Sequence, residues 1–210
     1  MIKHIFLDLG MVTVRLKMQN CIDAFKALGV NDVDQQITNS RQHGIFNGIE
    51  LGLVSVDDFH QHVRQHYGIT ATDEQIDAAW NAFILDCPVA LQQQVRRLHE
   101  HYNTYILSNT NQIHYDYWAQ QCMGGEGGCT VEECFNKCYL SNDLHLAKPD
   151  PEIYKAVLAD CGANPDECLY LDDNSANVEA AKNLGWHALV SLSPEQTMEI
   201  LTKFEQTGKY

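Results

Sequence analysis

The chain is short of positive charge: fourteen Lys and Arg stand against twenty-eight Asp and Glu, a formal net charge of −14. A surface of that sign repels polyanions, which excludes nucleic acid and anionic membrane as partners; an anionic small molecule has to be met by local groups. No run of 18 apolar residues occurs, which excludes a membrane-spanning helix. Nor does the N-terminus carry a basic stretch, a long apolar segment and a small-residue cleavage site. These absences give the expectation of a soluble, cytoplasmic protein. Only five prolines occur, no long linker divides the 210 residues, and no internal repeat is visible. The glycine-rich patch MGGEGG at 123–128 lacks both the Lys-Ser or Lys-Thr and the preceding strand of a phosphate loop, so it reads as a turn.

Eight cysteines are present. Cys21, Cys87, Cys161 and Cys168 sit singly in apolar segments and read as small core residues, thiols in a reducing compartment. Cys122, Cys129, Cys134 and Cys138 fall within 17 residues, but only Cys134 and Cys138 have a zinc-like spacing, and the neighbouring Phe135 and Tyr139 read as core. His62 and His66, four apart without an intervening metalloprotease Glu, read as a solvated helix face.

Apolar, β-branched and aromatic runs at 2–7, 104–107, 169–171 and 187–191 read as buried strands, separated by helix-period segments at 88–101, 151–161 and 175–184. Strand and helix in alternation predict an α/β fold with a parallel sheet. The stretch from about residue 18 to residue 86 breaks the alternation, with helical periodicity at 19–28, 33–46, 56–67 and 73–85 and no strand. It predicts a helical block inserted after the first strand.

The first strand raises a chemical question, because the buried run of KHIFLDLGMVTV ends on Asp8 before turning at Gly10. A carboxylate in apolar surroundings is costly unless it is paired or bound to a cation. Ligands collect beyond the carboxyl ends of strands in open α/β sheets. Read jointly, those ends deliver Asp8, then Ser108 and Asn109 (LSNTN), then Asp172 and Asp173 (LYLDDN), with Lys148 (AKPDPEIY) just before a helix. Asp8 and Asp173 are suited to hold Mg²⁺ through oxygen ligands, and Lys148, Ser108 and Asn109 to bind a phosphoryl group. Asp8 is then free to act as a nucleophile, dividing hydrolysis into two steps through an aspartyl-phosphate.

Through FLDLGMV, ILSNTN, KPDPEIY and LYLDDNSANVEAAKNLG the chain resembles the haloacid dehalogenase-like hydrolase superfamily along nearly its whole length, and IELGLVSVDDFHQHV is similar to the cap turn of members with a Glu-x-Gly pattern, here Glu50 and Gly52. Among its subgroups it is most similar to sugar phosphatases of the α-glucose-1-phosphate phosphatase type. The resemblance implies a Rossmann-like core of residues 1–17 and 87–210 with a helical C1 cap of residues 18–86. It implies a Mg²⁺-dependent phosphatase acting on a small phosphorylated metabolite, a sugar phosphate. Asp8 would be nucleophile and metal ligand, with the Gly10 carbonyl and Asp173 as further ligands. Asp172 and Asn177 would support the metal site from behind, and Ser108, Asn109 and Lys148 would bind the phosphoryl group, Lys148 also serving catalysis.

One position departs from the family pattern: most of its phosphatases carry a second Asp two places after the nucleophile, as general acid, where this chain has Gly10. Another group, with the cap carboxylate Glu50 first in line, or solvent would then supply the proton, or the leaving group departs readily, as an anomeric hydroxyl does. Two rival expectations are a metal-free dehalogenase, in which Asp8 attacks carbon, and a catalytically weak binding protein on the same fold.

Overall fold

In the computed structural model, which describes residues 1–36 and 44–210, strand β1 (His4–Leu7) is buried along its whole length. Its side chains alternate between two apolar layers, as a strand covered on both faces requires. Ile5 and Leu7 join one layer and Phe6 the other.

The helical insertion follows as α1 (Met18–Ala27), α2 (Val33–Gln36), α3 (Gly44–Glu50), α4 (Val56–Tyr67) and α5 (Asp73–Asn81). The chain then runs α6 (Val89–His99), β2 (Asn103–Ser108), α7 (Gln112–Tyr117) with a π-helical turn at Trp118–Cys122, α8 (Val131–Cys134), β3 (Lys137–Leu140), α9 (Ser141–Leu144) and α10 (Pro151–Cys161). It closes with β4 (Cys168–Asp172), α11 (Ser175–Asn183), β5 (His187–Val190) and α12 (Pro194–Thr207). The sheet is parallel throughout, in the order β3-β2-β1-β4-β5.

Leu91, Val95 and Leu98 of α6 with Leu201 and Phe204 of α12 cover the Ile5 face. Ile153, Tyr154 and Val157 of α10 with Val178 and Ala181 of α11 cover the Phe6 face. Phe6 itself packs between Tyr105 and Trp186, each at 4.7 Å between ring centroids. No described helix is long and apolar enough to cross a membrane.

The insertion is held by aromatic side chains, with Phe46 at 5.7 Å from Phe25, 5.5 Å from Phe59 and 4.9 Å from Trp80. Its helix ends follow local chemistry. Ser55 caps α4, Gly68 ends it in the left-handed conformation, and Thr72 with Gln75 forms a capping box on α5. The expected helix at 73–85 stops at Asn81, where a turn at 82–83 leads into residues that pair with the first crossing segment: Lys17 N–H donates to Phe83 O at 2.8 Å, Leu85 N–H to Arg15 O at 2.9 Å, and Arg15 N–H to Asp86 O at 2.9 Å. The two chain segments entering and leaving the insertion thus pair with each other. Of the expected 33–46 helix, α2 and the start of α3 are seen, and residues 37–43 lie outside the described residues.

Strand β3 escaped the sequence reading. It is an edge strand of four residues, KCYL, in which an exposed Lys and a half-buried Cys precede two buried residues, too short and too mixed to give a period. Phe135 and Tyr139 are buried as expected, and His62 and His66 are exposed.

Candidate active site

Register brings the carboxylates together. Leu7 pairs with Ile106 on one side and Leu171 on the other, so the three strands run out within two residues of one another, at Leu7, Ser108 and Asp172. Asp8 N–H still donates to Leu171 O at 3.0 Å, which fixes Asp8 beside Asp172. Carboxylate oxygens of Asp8, Asp172 and Asp173 lie within 4.8 Å of one another, the one such group of metal-ligating side chains among the described residues. The cysteines, all free, form no metal cluster there; Cys122, Cys129 and Cys134 are buried and Cys138 half-buried.

Lys148 lies at the centre of the cluster. Its ammonium contacts Asp172 Oδ2 at 2.7 Å and Asp8 Oδ1 at 3.0 Å, and donates to Leu107 O at 2.9 Å, which uses all three donors. Burial alone would lower its pKa, but the two carboxylates reverse that and raise it. Burial likewise works against ionised Asp172, yet Lys148 and the Tyr170 hydroxyl hold its carboxyl below the usual range. Asp8 keeps less of that help: burial, opposed by Lys148 and reinforced by Asp172 and Asp173, pushes it up to about 7. Asp173 is raised too, by burial first and then by Asp172. Three carboxylates and one ammonium leave an excess of negative charge at the strand ends.

Asn177 holds Asp172, its side-chain N–H₂ reaching both carboxylate oxygens at 3.0 and 3.1 Å. The Asn109 side chain faces the Lys148 backbone, donating to its carbonyl at 2.9 Å and accepting from its N–H at 2.8 Å. That amide group thereby ties Asn109 to the Lys148 backbone. The Gly10 carbonyl accepts from Val12 N–H at 2.7 Å, which leaves it a second lone pair. Gly10 is not in the left-handed region, so the turn itself does not demand glycine there; an added Cβ would meet Leu16 Cδ1 at 3.0 Å. Ser108, almost fully buried, lines the same cavity as Asp8.

That cavity, of about 860 Å³, lies between the strand ends and the insertion. Asn47, Glu50 and Leu51 wall it from the insertion, Val14, Leu16, Phe83 and Ile84 from the paired crossing segments. The Glu50 turn is docked on the α9 region: Ser141 Oγ donates to Glu50 O at 2.6 Å, and His145 Nδ1 lies 3.0 Å from Leu51 O. Gly52 is required at this contact, because it has φ 64° and a Cβ would lie 2.0 Å from Asn142 O. Burial pushes the Glu50 carboxyl up to about 8, so it is largely neutral at pH 7.

A carboxyl raised on folding lowers stability as pH climbs from its ordinary value to its folded one. Between about pH 4.5 and about 8, wild type is therefore expected to lose stability that Glu50→Gln retains. The variant should gain about 1–2 kcal/mol on wild type by pH 8, allowing for solvent at this half-buried site. Urea unfolding at pH 5 and pH 8 with EDTA measures it, and parallel losses in the two proteins would remove Glu50 as the cause.

Sequence reasoning missed Tyr170, whose hydroxyl donates to Asp172 Oδ2, because it reads as one more apolar strand residue. It also missed Ser141, which further accepts from Thr110 N–H at 2.9 Å, and the His114–Asn81 contact, since neither lies in a motif.

A parallel sheet with carboxylates and a lysine at its strand ends, roofed by a helical insertion, defines a class of hydrolase active site. The chain belongs to the haloacid dehalogenase-like hydrolase family, whose model matches residues 23–185. It is 33% identical to D-ribitol-5-phosphate phosphatase of Bacteroides thetaiotaomicron over 89% of this chain and 90% of that one. A crystal structure of a family enzyme from the same organism, in complex with magnesium and inorganic phosphate, has a TM-score of 0.84 at 36% identity, covering 90% of this chain and 93% of that one. A family hydrolase from Porphyromonas gingivalis gives 0.90 at 29% identity over 98% of both chains. L-2-haloacid dehalogenase of Xanthobacter autotrophicus, at 17% identity and TM-score 0.58 over 97% of this chain and 83% of that one, shares the fold.

Proposed function

We propose that the protein is a Mg²⁺-dependent phosphatase of a small monophosphate whose alcohol is a sugar or sugar alcohol. The observation that carries this reading is the Asp8, Asp172, Asp173 and Lys148 cluster, an anionic excess at one sheet edge. A hard dication fits that donor set, with Asp8, Asp173 and the Gly10 carbonyl as its protein ligands, because Asp172 is already taken by Lys148, Tyr170 and Asn177. When bound, Mg²⁺ supplies charge stabilisation for the phosphoryl oxygens. The similarity to a ribitol-phosphate phosphatase and to a magnesium- and phosphate-bound family enzyme supports the same reading.

In this reading an Asp8 oxygen attacks phosphorus and the ester P–O bond breaks, giving an aspartyl-phosphate and an alkoxide that takes a proton from solvent or the Glu50 carboxyl to leave as the alcohol. Water then cleaves the acyl phosphate, releasing inorganic phosphate and restoring Asp8. Lys148 orients Asp8 and offsets charge on the transferring group, and Ser108 donates to a phosphoryl oxygen. We place the cap at residues 18–86 and the core at 1–17 and 87–210, dividing them at the paired crossing segments. The free, mostly buried thiols favour the cytoplasm.

The test is a panel of phosphate monoesters, including a pentitol 5-phosphate and a sugar 1-phosphate, assayed with Mg²⁺ or EDTA beside 2-chloropropionate. Mg²⁺-dependent phosphate release is expected. Halide release without Mg²⁺ would make the protein a dehalogenase, and silence toward the whole panel would make it a binding protein.

Gly10→Asp is expected to restore the general acid. It should raise turnover of a primary-alcohol phosphate relative to a sugar 1-phosphate at least tenfold, since such acids contribute about 10²–10⁴-fold. Leu16 has to yield a few tenths of an ångström to admit the side chain. An unchanged ratio in a folded variant would mean that another group already donates, and Glu50 is the remaining carboxyl of the described cavity wall.

A further inference from the structure

The cavity is also lined by residues that the phosphoryl chemistry does not use. His114 and Trp118, four residues apart across α7 and its π-helical turn, both line it. Residues at that spacing share a helix face, and π-turns often mark functional sites. Both are buried, and each has a ring nitrogen without a hydrogen-bond partner: His114 Nε2 and Trp118 Nε1. Trp80 and Trp186 also carry unpartnered indole nitrogens but line no part of this cavity, so theirs belong to the apolar core. Buried polar atoms are nearly always paired, so an orphan on a residue that lines a cavity is a place to look for a ligand.

The His114 ring is held firmly. Nδ1 lies 2.8 Å from Asn81 Oδ1, and the ring packs 4.5 Å from Trp80 and 4.8 Å from Phe83. Against a carbonyl oxygen, Nδ1 is the donor, which puts the lone pair of the neutral ring on Nε2. Burial drives the imidazole down to about 3, so it stays neutral at working pH and has no proton to give the leaving group. It is an acceptor. Trp118 Nε1 is a donor, and a hydroxyl can satisfy either kind of partner.

Of the other lining residues, Asn47 and Glu50 are neutral polar groups three apart on α3. Lys148 is the sole Lys or Arg of the described lining, and Asp8 and Asp172 occupy it. The lining beyond the carboxylate cluster thus suits an uncharged, hydroxylated chain rather than a second anionic group.

We propose that His114 determines substrate specificity by accepting, at Nε2, a hydrogen bond from a hydroxyl of the leaving alcohol, with Trp118 donating to an adjacent oxygen. This deepens the phosphatase reading and rests on it. The test compares kcat/KM for a pentitol 5-phosphate with that for n-pentyl phosphate, the same chain without hydroxyls, in wild type, His114→Phe, His114→Gln and Trp118→Phe. Wild type should prefer the pentitol ester. The preference should fall about 10–100-fold in His114→Phe, which keeps the ring and removes the acceptor. It should fall less in His114→Gln, which retains an acceptor, and severalfold in Trp118→Phe.

Equal use of both esters by wild type, or an undiminished preference in folded His114→Phe and His114→Gln, would overturn the proposal. Should neither variant fold, ¹⁵N-histidine spectra of wild type decide: a shift of the His114 Nε2 signal with free pentitol plus phosphate, but not with phosphate alone, supports it, and no difference overturns it. Failure of the phosphatase reading looks different, because wild type would then hydrolyse neither ester with Mg²⁺, and the specificity role would fall with it.

Discussion

Asp8→Asn is expected to fold and to lose phosphatase turnover by about 10⁴-fold or more, the scale on which covalent hydrolases respond to loss of the nucleophile. An amide oxygen is a poor nucleophile, and the variant cannot form the acyl phosphate. Stability should not follow activity. Ionised Asp8 is disfavoured by burial and by Asp172 and Asp173, as its pKa of about 7 records, and the amide oxygen can still accept the 2.8 Å hydrogen bond from Leu9 N–H. With EDTA present, the thermal midpoint of Asp8→Asn should therefore equal or exceed that of wild type. Turnover within tenfold of wild type would take Asp8 out of the mechanism. A large loss of midpoint would mean that the Lys148 contact carries more than burial costs.

Much of this site is legible in the chain because strand register converts sequence into space. A run of buried residues followed by Asp8, another by Ser108 and a third by Asp172 and Asp173 must converge if the three strands are parallel neighbours in register, as β2, β1 and β4 are. What is not legible is the orientation of polar side chains. The Asn109 side chain grips the Lys148 backbone, and Asn177 holds Asp172; a list of polar residues near strand ends does not separate such supports from groups that meet substrate. The His114 side of the lining is harder still, since Asn81 and His114 are thirty-three residues apart and belong to α5 and α7 respectively. Edge strand β3 and the early stop of α5 have another cause: pairing partners far along the chain override weak local periodicity.

The largest expected effect on stability belongs to Lys148→Met, which keeps most of the length of the side chain and removes its charge. Asp172, fully buried, would lose its 2.7 Å ion pair and keep Tyr170, Asn177 and the Asn174 N–H as partners. Removing one member of a buried pair typically costs about 3–5 kcal/mol, because the charge left behind is uncompensated. The pH dependence carries the sign. In wild type the Asp172 carboxyl lies below its ordinary value, so its contribution is present above that value and is lost as pH falls through the folded pKa. Without Lys148, burial dominates and the carboxyl rises, so the variant loses stability as pH increases. The deficit of Lys148→Met should thus be greatest near pH 8 and shrink toward pH 5, measured by urea unfolding with EDTA. Adding Asp172→Asn removes the stranded charge and should recover most of the deficit at pH 8 in the double variant. If the double variant were no more stable than Lys148→Met, the cost would come from lost packing around the lysine stem, and the ion pair would not be what holds the strand ends together.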